Sequence, residues 1–309
     1  MTPFGIFKRQ SGNGFASFAV AAMTGLAAMA IHAAPITFNT ALPVGKGEFV
    51  LREQVVISQS GDDPGGANRD ATARALVSVL GYGINGRLAV FGALPIVDKE
   101  LDATTAGVRA NRDASGLGDL SLFGRYTVYK RDAPGRTFRV APFAGVTAPT
   151  GKDDESDALG RLPAPVQPGT GAWDGFGGLV VTYQTLDFQL DGQLSYRING
   201  EANGLDRGDI ARADASLQYR LWPGELSAGV PGFLYGVLEA ALIHSEKNRV
   251  VGIDDPDSGG LSVVVTPGIQ YVTKRWIVEA GVELPLLQDL NGAALENDYV
   301  IRAGFRVNF

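Results

Sequence analysis

Phe188-Gln189-Leu190-Asp191-Gly192-Gln193-Leu194-Ser195-Tyr196-Arg197-Ile198-Asn199 decides the fold. Taken two by two, Phe188, Leu190, Gly192, Leu194, Tyr196 and Ile198 share one face, and the other face carries only polar side chains. A period of two is that of a β-strand, and a helix of period 3.6 would mix the two sets. Ala211 to Leu221 repeats the pattern, with Ala213, Ala215, Leu217, Tyr219 and Leu221 against Arg212, Asp214, Ser216, Gln218 and Arg220. The chain ends in the same way: Tyr299, Ile301, Ala303, Phe305, Val307 and Phe309 alternate with Val300, Arg302, Gly304, Arg306 and Asn308.

Extended outward from these stretches, the alternation and turn rules predict about twelve strands. They fall at 47–59, 70–82, 86–96, 116–130, 136–149, 173–184, 187–199, 209–221, 232–245, 261–272, 275–286 and 298–309. Their connections alternate in length. Short ones fall at Asn85-Gly86, at Arg131 to Gly135, at Thr185-Leu186 and at Thr273-Lys274, with 222–231 intermediate. Long polar ones fall at 60–69, 97–115, 150–172, 200–208, 246–260 and 287–297. Short turns at one end and long loops at the other are the pattern of a bacterial outer-membrane barrel. A soluble β-sandwich would place lysine on its wet faces. Here the polar faces mix Arg, Asp, Glu, Ser and Gln with glycine, as an enclosed lumen would. The expected fold is therefore all-β, a transmembrane antiparallel up-and-down β-barrel. An even strand count puts both termini on the periplasmic side, and only a closed sheet satisfies its backbone in hydrocarbon.

The amino terminus reads as a cleaved signal peptide over 1–33. Lys8 and Arg9 precede an apolar stretch from Phe15 to Ile31, and the small residues Ala33 and Ala34 follow. Cleavage after Ala33 is favoured because Pro35 would flank the scissile bond one residue later. A periplasmic amino-terminal segment at 34–46 and a barrel at 47–309 complete the expected organisation, in the outer membrane of a Gram-negative bacterium. Loss of the two leader cations takes the formal charge from −6 to −8, which makes nucleic acid an unexpected partner. The absence of cysteine removes disulfides, thiolate metal sites and thiol catalysis, and two histidines, His32 and His244, cannot build a multi-histidine metal site. No cofactor is expected. The expected partners are outer-membrane lipids and lipopolysaccharide, a small solute, and the barrel-assembly machinery through Phe309.

Ser115-Gly116-Leu117-Gly118-Asp119-Leu120-Ser121-Leu122-Phe123-Gly124-Arg125-Tyr126, followed by Ala141 to Val146 and by Ala148-Pro149-Thr150-Gly151-Lys152-Asp153, resembles the central hairpin of the meta-pathway phenol-degradation family. That resemblance implies an outer-membrane barrel associated with aromatic-compound catabolism, transporting rather than transforming. The last eleven residues, Tyr299 to Phe309, separately resemble the terminal strand by which many outer-membrane proteins are recognised for assembly.

Several motifs fail on context. Gly81-Tyr82-Gly83-Ile84-Asn85-Gly86 matches a dinucleotide fingerprint, but no helical periodicity follows and Asn85-Gly86 is a hairpin signal. Thr150-Gly151-Lys152-Asp153 has Val146 where a phosphate loop needs glycine and Asp153 where it needs Ser or Thr. His244 is the one residue on which a lipid hydrolase reading rests, yet Ser245 is adjacent and points to the opposite face, out of reach of a nucleophile–base bond. The expectation is no enzyme. The clusters Asp153-Asp154-Glu155 with Asp157, and Asp254-Asp255 with Asp257, supply hard oxygen ligands but lack EF-hand spacing and read as solvated loops.

The functional expectation is passage of a small solute, such as an aromatic compound or organic acid, with a lipid hydrolase or a closed structural or adhesive barrel as alternatives. Twelve strands lie between barrels that fill their interior and those with a wide channel, so a narrow lumen follows. Its predicted lining is Phe123, Arg125, Arg139, Phe143, Phe176, Asp191, Arg197, Arg212, Asp214, Arg220, Glu279, Glu283, Arg302 and Arg306. Opposite-charge matching across hairpins predicts a register with Asp191 facing Arg220, Ser195 facing Ser216 and Arg197 facing Asp214. For the last hairpin it sets Glu279 against Arg306, Glu283 against Arg302 and Trp276 against Phe309.

Overall fold

The computed structural model describes residues 33–225 and 231–309. The leader expected at 1–33 lies outside the described residues, apart from Ala33. Twelve antiparallel strands close into one barrel. They are β1 (Phe49–Ser60), β2 (Asp70–Gly83), β3 (Leu88–Thr105), β4 (Leu120–Tyr126), β5 (Arg136–Ala148), β6 (Asp174–Thr185), β7 (Phe188–Ile198), β8 (Ile210–Trp222), β9 (Phe233–Ser245), β10 (Gly260–Val272), β11 (Trp276–Leu290) and β12 (Tyr299–Asn308). Each strand pairs with its neighbour in sequence, and β12 pairs with β1 to close the sheet. Closure removes every free edge, which is what a sheet in hydrocarbon requires.

The two faces are inverted relative to a soluble protein. Leu190, Leu194, Leu217, Leu238, Leu242, Val278 and Ile301 are exposed on the outside, while Gln189, Gln218, Gln270, Glu239, Glu279 and Thr182 are among the most buried side chains. In water this arrangement would leave apolar area unburied on every strand. In a bilayer the same faces meet lipid, and the enclosed polar groups bond one another. Exposed Phe49, Tyr82, Tyr126, Tyr219, Trp222, Trp276, Phe305 and Phe309 gather beside the short turns, forming the aromatic girdle of the periplasmic interface. The protein is an outer-membrane β-barrel.

Three departures from the expected strands have local causes. The loop expected at 97–115 is instead a hairpin rising beyond the barrel: β3 runs on to Thr105 and pairs with an arm, Val108–Leu117, through a turn at Ala106-Gly107. Both turn residues take positive φ, 51° and 79°, matching the twist of a two-residue hairpin. The strand expected at 116–130 is broken at Gly118-Asp119. There Asp119 turns to accept the backbone N–H groups of Gly151 (2.9 Å) and Thr170 (2.8 Å) and so ties the long loop after β5 to the barrel. A second break at Thr127-Val128 separates β4 from an extension, Tyr129–Ala133, that pairs with β5. The loops at 200–208 and 246–260 also pair, through Leu205 with Val250 and Asp206 with Arg249, into a small sheet over the external mouth.

The register differs from the one predicted by charge matching. Asp191 faces Ser216 rather than Arg220, Ser195 faces Arg212 rather than Ser216, and Arg197 faces Ile210 rather than Asp214. In the last hairpin Glu279 faces Gly304, Glu283 faces Val300 and Trp276 faces Val307. The physical reason is reach. Arg302 Nε still bonds Glu283, and Arg306 Nη2 lies 4.0 Å from Glu279, both diagonally across the pair. Long side chains close a charge pair from a diagonal position, so the match does not fix the register. Phe309 stacks instead on Phe49, at 5.7 Å between ring centroids.

Candidate functional site: a lumen filled in part by the amino-terminal segment

Of the segment 34–46, expected in the periplasm, residues 34–44 lie inside the barrel. Ala33 packs against Val272 and Ile277 beside the turn at 273–275, and the segment leaves past Gly83 beside the turn at 84–87. It therefore enters and returns at the short-turn, periplasmic end. The misplacement has a plain cause. Ala33-Ala34-Pro35-Ile36-Thr37-Phe38 carries no charge, so its own sequence does not distinguish a free tail from one bound by the wall.

The wall holds this segment by its backbone. Glu239 accepts Ile36 N–H at 2.7 Å, Thr37 N–H at 3.0 Å and Thr37 Oγ1 at 2.5 Å, and it also accepts Ser216 Oγ at 3.0 Å. Arg52 Nη2 and Gln54 Nε2 both donate to Ile36 O, at 2.5 and 3.1 Å. Gln270 donates to Ala34 O and accepts from Ala34 N. Further along, Thr182 Oγ1 accepts Ala41 N–H at 2.8 Å, and Arg125 donates to Thr40 O and to Leu42 O. A peptide that joins no sheet inside a barrel has no backbone partner of its own, so each N–H and C=O that leaves water needs a side chain from the wall. Carboxylate, guanidinium and amide groups supply them here. Two glycines make room: a Cβ on Gly83 would fall 1.9 Å from Gly45 O, and one on Gly268 would fall 2.6 Å from Ile36 Cδ1.

A cavity of about 460 Å³ remains beside the segment, lined by Phe91, Phe123 and Phe176 and by Arg52, Arg125, Arg197 and Arg306. Phe91 and Phe123 stack at 4.7 Å, and Phe176 meets Phe123 edge-on at 5.9 Å. The Arg125 guanidinium lies 5.0 Å from the centre of the Phe91 ring and that of Arg197 lies 5.4 Å from Phe176, within cation–π range. The rings lie over glycine on the facing strand, since a Cβ on Gly81 would meet Phe91 at 2.6 Å and one on Gly145 would meet Phe176 at 2.7 Å.

Of the residues predicted to line the lumen, Phe123, Arg125, Phe176, Arg197 and Arg306 border this cavity. Phe143, Asp191 and Glu279 are buried around the segment: Phe143 packs on Ala41, Asp191 accepts from Thr182, and Glu279 holds Arg52 at 2.5 Å. Arg212 with Asp214 (2.6 Å) and Glu283 with Arg302 form pairs elsewhere inside the barrel. Arg220 pairs with Asp187 and Arg139 with Asp132 (3.4 Å) near the periplasmic turns. Sequence reasoning missed Glu239, Gln270, Thr182 and Arg52, which hold the segment. The available signal was Glu239, the one charged residue on the inward face Tyr235, Val237, Glu239, Ala241 and Ile243.

His244 is exposed, opposite Ala211 and Leu261, whereas Ser245 turns toward the inner side and borders a different cavity. The acidic loop residues are engaged by cations and amides: Asp157 by Arg112 at 2.8 Å, Asp153 by Asn203 at 2.7 Å, and Asp254 by Arg249 at 3.1 Å. The Arg112 bond holds Asp157 below the usual carboxylate range. Asn85 Oδ1 accepts the N–H groups of Arg87 and Leu88, so the apparent nucleotide fingerprint is an Asx turn.

A twelve-stranded outer-membrane barrel with an occupied lumen is thus the class that fold and site define. The chain belongs to the family described as "Putative MetA-pathway of phenol degradation", which matches residues 47–284. Its fold is that of the COG4313 outer membrane channel from Pseudomonas putida F1, at a TM-score of 0.67 and 13% identity, over 87% of this chain and 98% of that one. The β domain of the Bordetella autotransporter BrkA is more distant, at a TM-score of 0.46 and 12% identity over 85% and 100%. The NanC porin gives 0.42 and 10% over 84% and 98%. No curated protein sequence matches this one.

Proposed function

We propose that the protein is a passive channel for a small solute across the outer membrane, acting without catalysis. The observation that carries this reading is the cavity of about 460 Å³ left between the amino-terminal segment and the wall, lined by arginines and aromatic rings. The segment narrows the lumen without filling it. Phe123, Arg125, Phe176, Arg197 and Arg306 line the open part, and the charge pairs Arg212–Asp214 and Glu283–Arg302 line the wall beyond it. The family description and the likeness in fold to an outer membrane channel support the same reading. A narrow bore restricts passage to one small molecule at a time and makes wall chemistry, rather than size alone, the selective element.

The test is reconstitution of the purified barrel in planar bilayers and in liposomes. Discrete conductance steps, with swelling of liposomes in small solutes and none in oligosaccharides, are expected. A barrel that is electrically silent and passes no small solute is a closed structural element, and the reading falls.

A further inference from the structure

The lumen wall carries both acids and bases, yet they are not placed alike around the amino-terminal segment. Asp191, Glu239 and Glu279, at 5%, 2% and 2% exposure, are taken up around the segment. Glu239 is saturated by Ile36, Thr37 and Ser216, Asp191 by Thr182 and Gln189, and Glu279 by Arg52 and Gln270. The open cavity beside the segment is bordered by four arginines and by no Asp or Glu. Among the described residues only two carboxylates touch those arginines: Glu279 at Arg52 and Arg306, and Asp174 at Arg197, 3.6 Å away. Arg125 spends its donors on the carbonyls of Thr40 and Leu42 and has no acid partner among the described residues.

We infer that residues 33–44 act as a selectivity element: with Asp191, Glu239 and Glu279 buried around them and Arg197 and Arg306 bordering the cavity free of any bond to the segment, they make the lumen of a net acidic protein a path for small organic anions. The inference rests on the channel reading above and names the class of solute it serves. A ring of like charges in a narrow, low-dielectric passage concentrates counter-ions and sets the sign of selectivity. Guanidinium groups suit a carboxylate in particular, because their planar fork donates two parallel hydrogen bonds, and those of Arg197 and Arg306 are the ones not spent on the segment. Phe91, Phe123 and Phe176 add an apolar shelf beside those forks, so the preferred solute is a monocarboxylate with a small flat apolar body. The overall charge of −6 predicts the opposite preference, and this contrast makes the inference easy to refute.

The experiment is the zero-current potential of the reconstituted barrel across a KCl gradient, followed by entry of benzoate and of benzylammonium into protein-loaded liposomes. The wild-type barrel should favour chloride over potassium and admit benzoate several-fold faster than benzylammonium. In the double variant Arg197→Gln with Arg306→Gln, two cavity arginines that bond no group of the segment, both preferences should shrink toward unity. Deletion of residues 36–44 should raise conductance and weaken or reverse the anion preference, since Glu239 and Glu279 then face the lumen. A conducting wild-type barrel that favours potassium, or either variant keeping the full anion preference, overturns the inference and leaves the channel reading intact. Absence of conductance overturns the channel reading itself, and the two failures are told apart. If the deletion fails to assemble, the arginine double variant decides alone.

Discussion

Glu239 shows how much rests on one side chain in this lumen. Its two oxygens accept four hydrogen bonds, three of them from the amino-terminal segment, and bonds to a charged acceptor contribute about 1.5–3 kcal/mol each. Glu239→Gln keeps the shape, removes the charge and turns an NH2 group toward the N–H donors of Ile36 and Thr37. The segment should loosen, seen as faster labelling of a cysteine placed at Thr37 and as larger, noisier conductance steps. Labelling at the wild-type rate would show that the segment is held elsewhere, by Arg125 and Thr182. The chemistry of the lumen was partly legible at this scale. Arg125, Arg197 and Arg306 sit on the polar faces of alternating strands, so parity alone turns them inward. Glu239 obeys the same parity, but its partners are backbone groups more than two hundred residues away in sequence, and no local pattern announces such a partner.

At the scale of strands and turns, alternation and turn composition were enough to place the barrel, because each strand must present one face to lipid whatever its neighbours do. Two features lay beyond that rule. The hairpin over 96–117 has little apolar alternation, being held by pairing above the membrane, and so reads as a loop. Register was misread because charge pairs reach diagonally. In the observed pairing Ser195 faces Arg212, and Ser216 lies opposite Asp191. Cysteines at 195 and 212 should therefore form a disulfide in the folded barrel, and cysteines at 195 and 216 should not. The opposite result, read by gel mobility after mild oxidation, would show that β7 and β8 pair as the charge-matched register requires.

The whole molecule depends on the seam between its first and last strands. β12 pairs with β1 from Val50 with Asn308 to Gln59 with Tyr299, and Phe309 extends the ladder beyond them: Phe49 N donates to Phe309 O at 2.7 Å, and Phe309 N to Phe49 O at 3.0 Å. The stacked rings of Phe49 and Phe309 sit in the periplasmic girdle. The amino-terminal segment leaves the lumen immediately before β1, with Gly47 N bonded to Gly83 O at 2.8 Å, so the seam and the exit of the segment share one corner of the barrel. Removal of Phe309 deletes two ladder bonds and a ring contact where the sheet closes, and a sheet that closes poorly leaves unpaired backbone in hydrocarbon. Two variants separate the contributions. Truncation at Asn308 should lower the amount of heat-modifiable, folded barrel in the outer membrane several-fold. Phe309→Ala keeps both backbone bonds and loses only the stacked ring, so it should lower it less. Equal loss in both would put the weight on the aromatic ring, as recognition of a terminal aromatic by the assembly machinery requires. Wild-type abundance in both would show that the ladder from Val50 to Gln59 closes the barrel unaided.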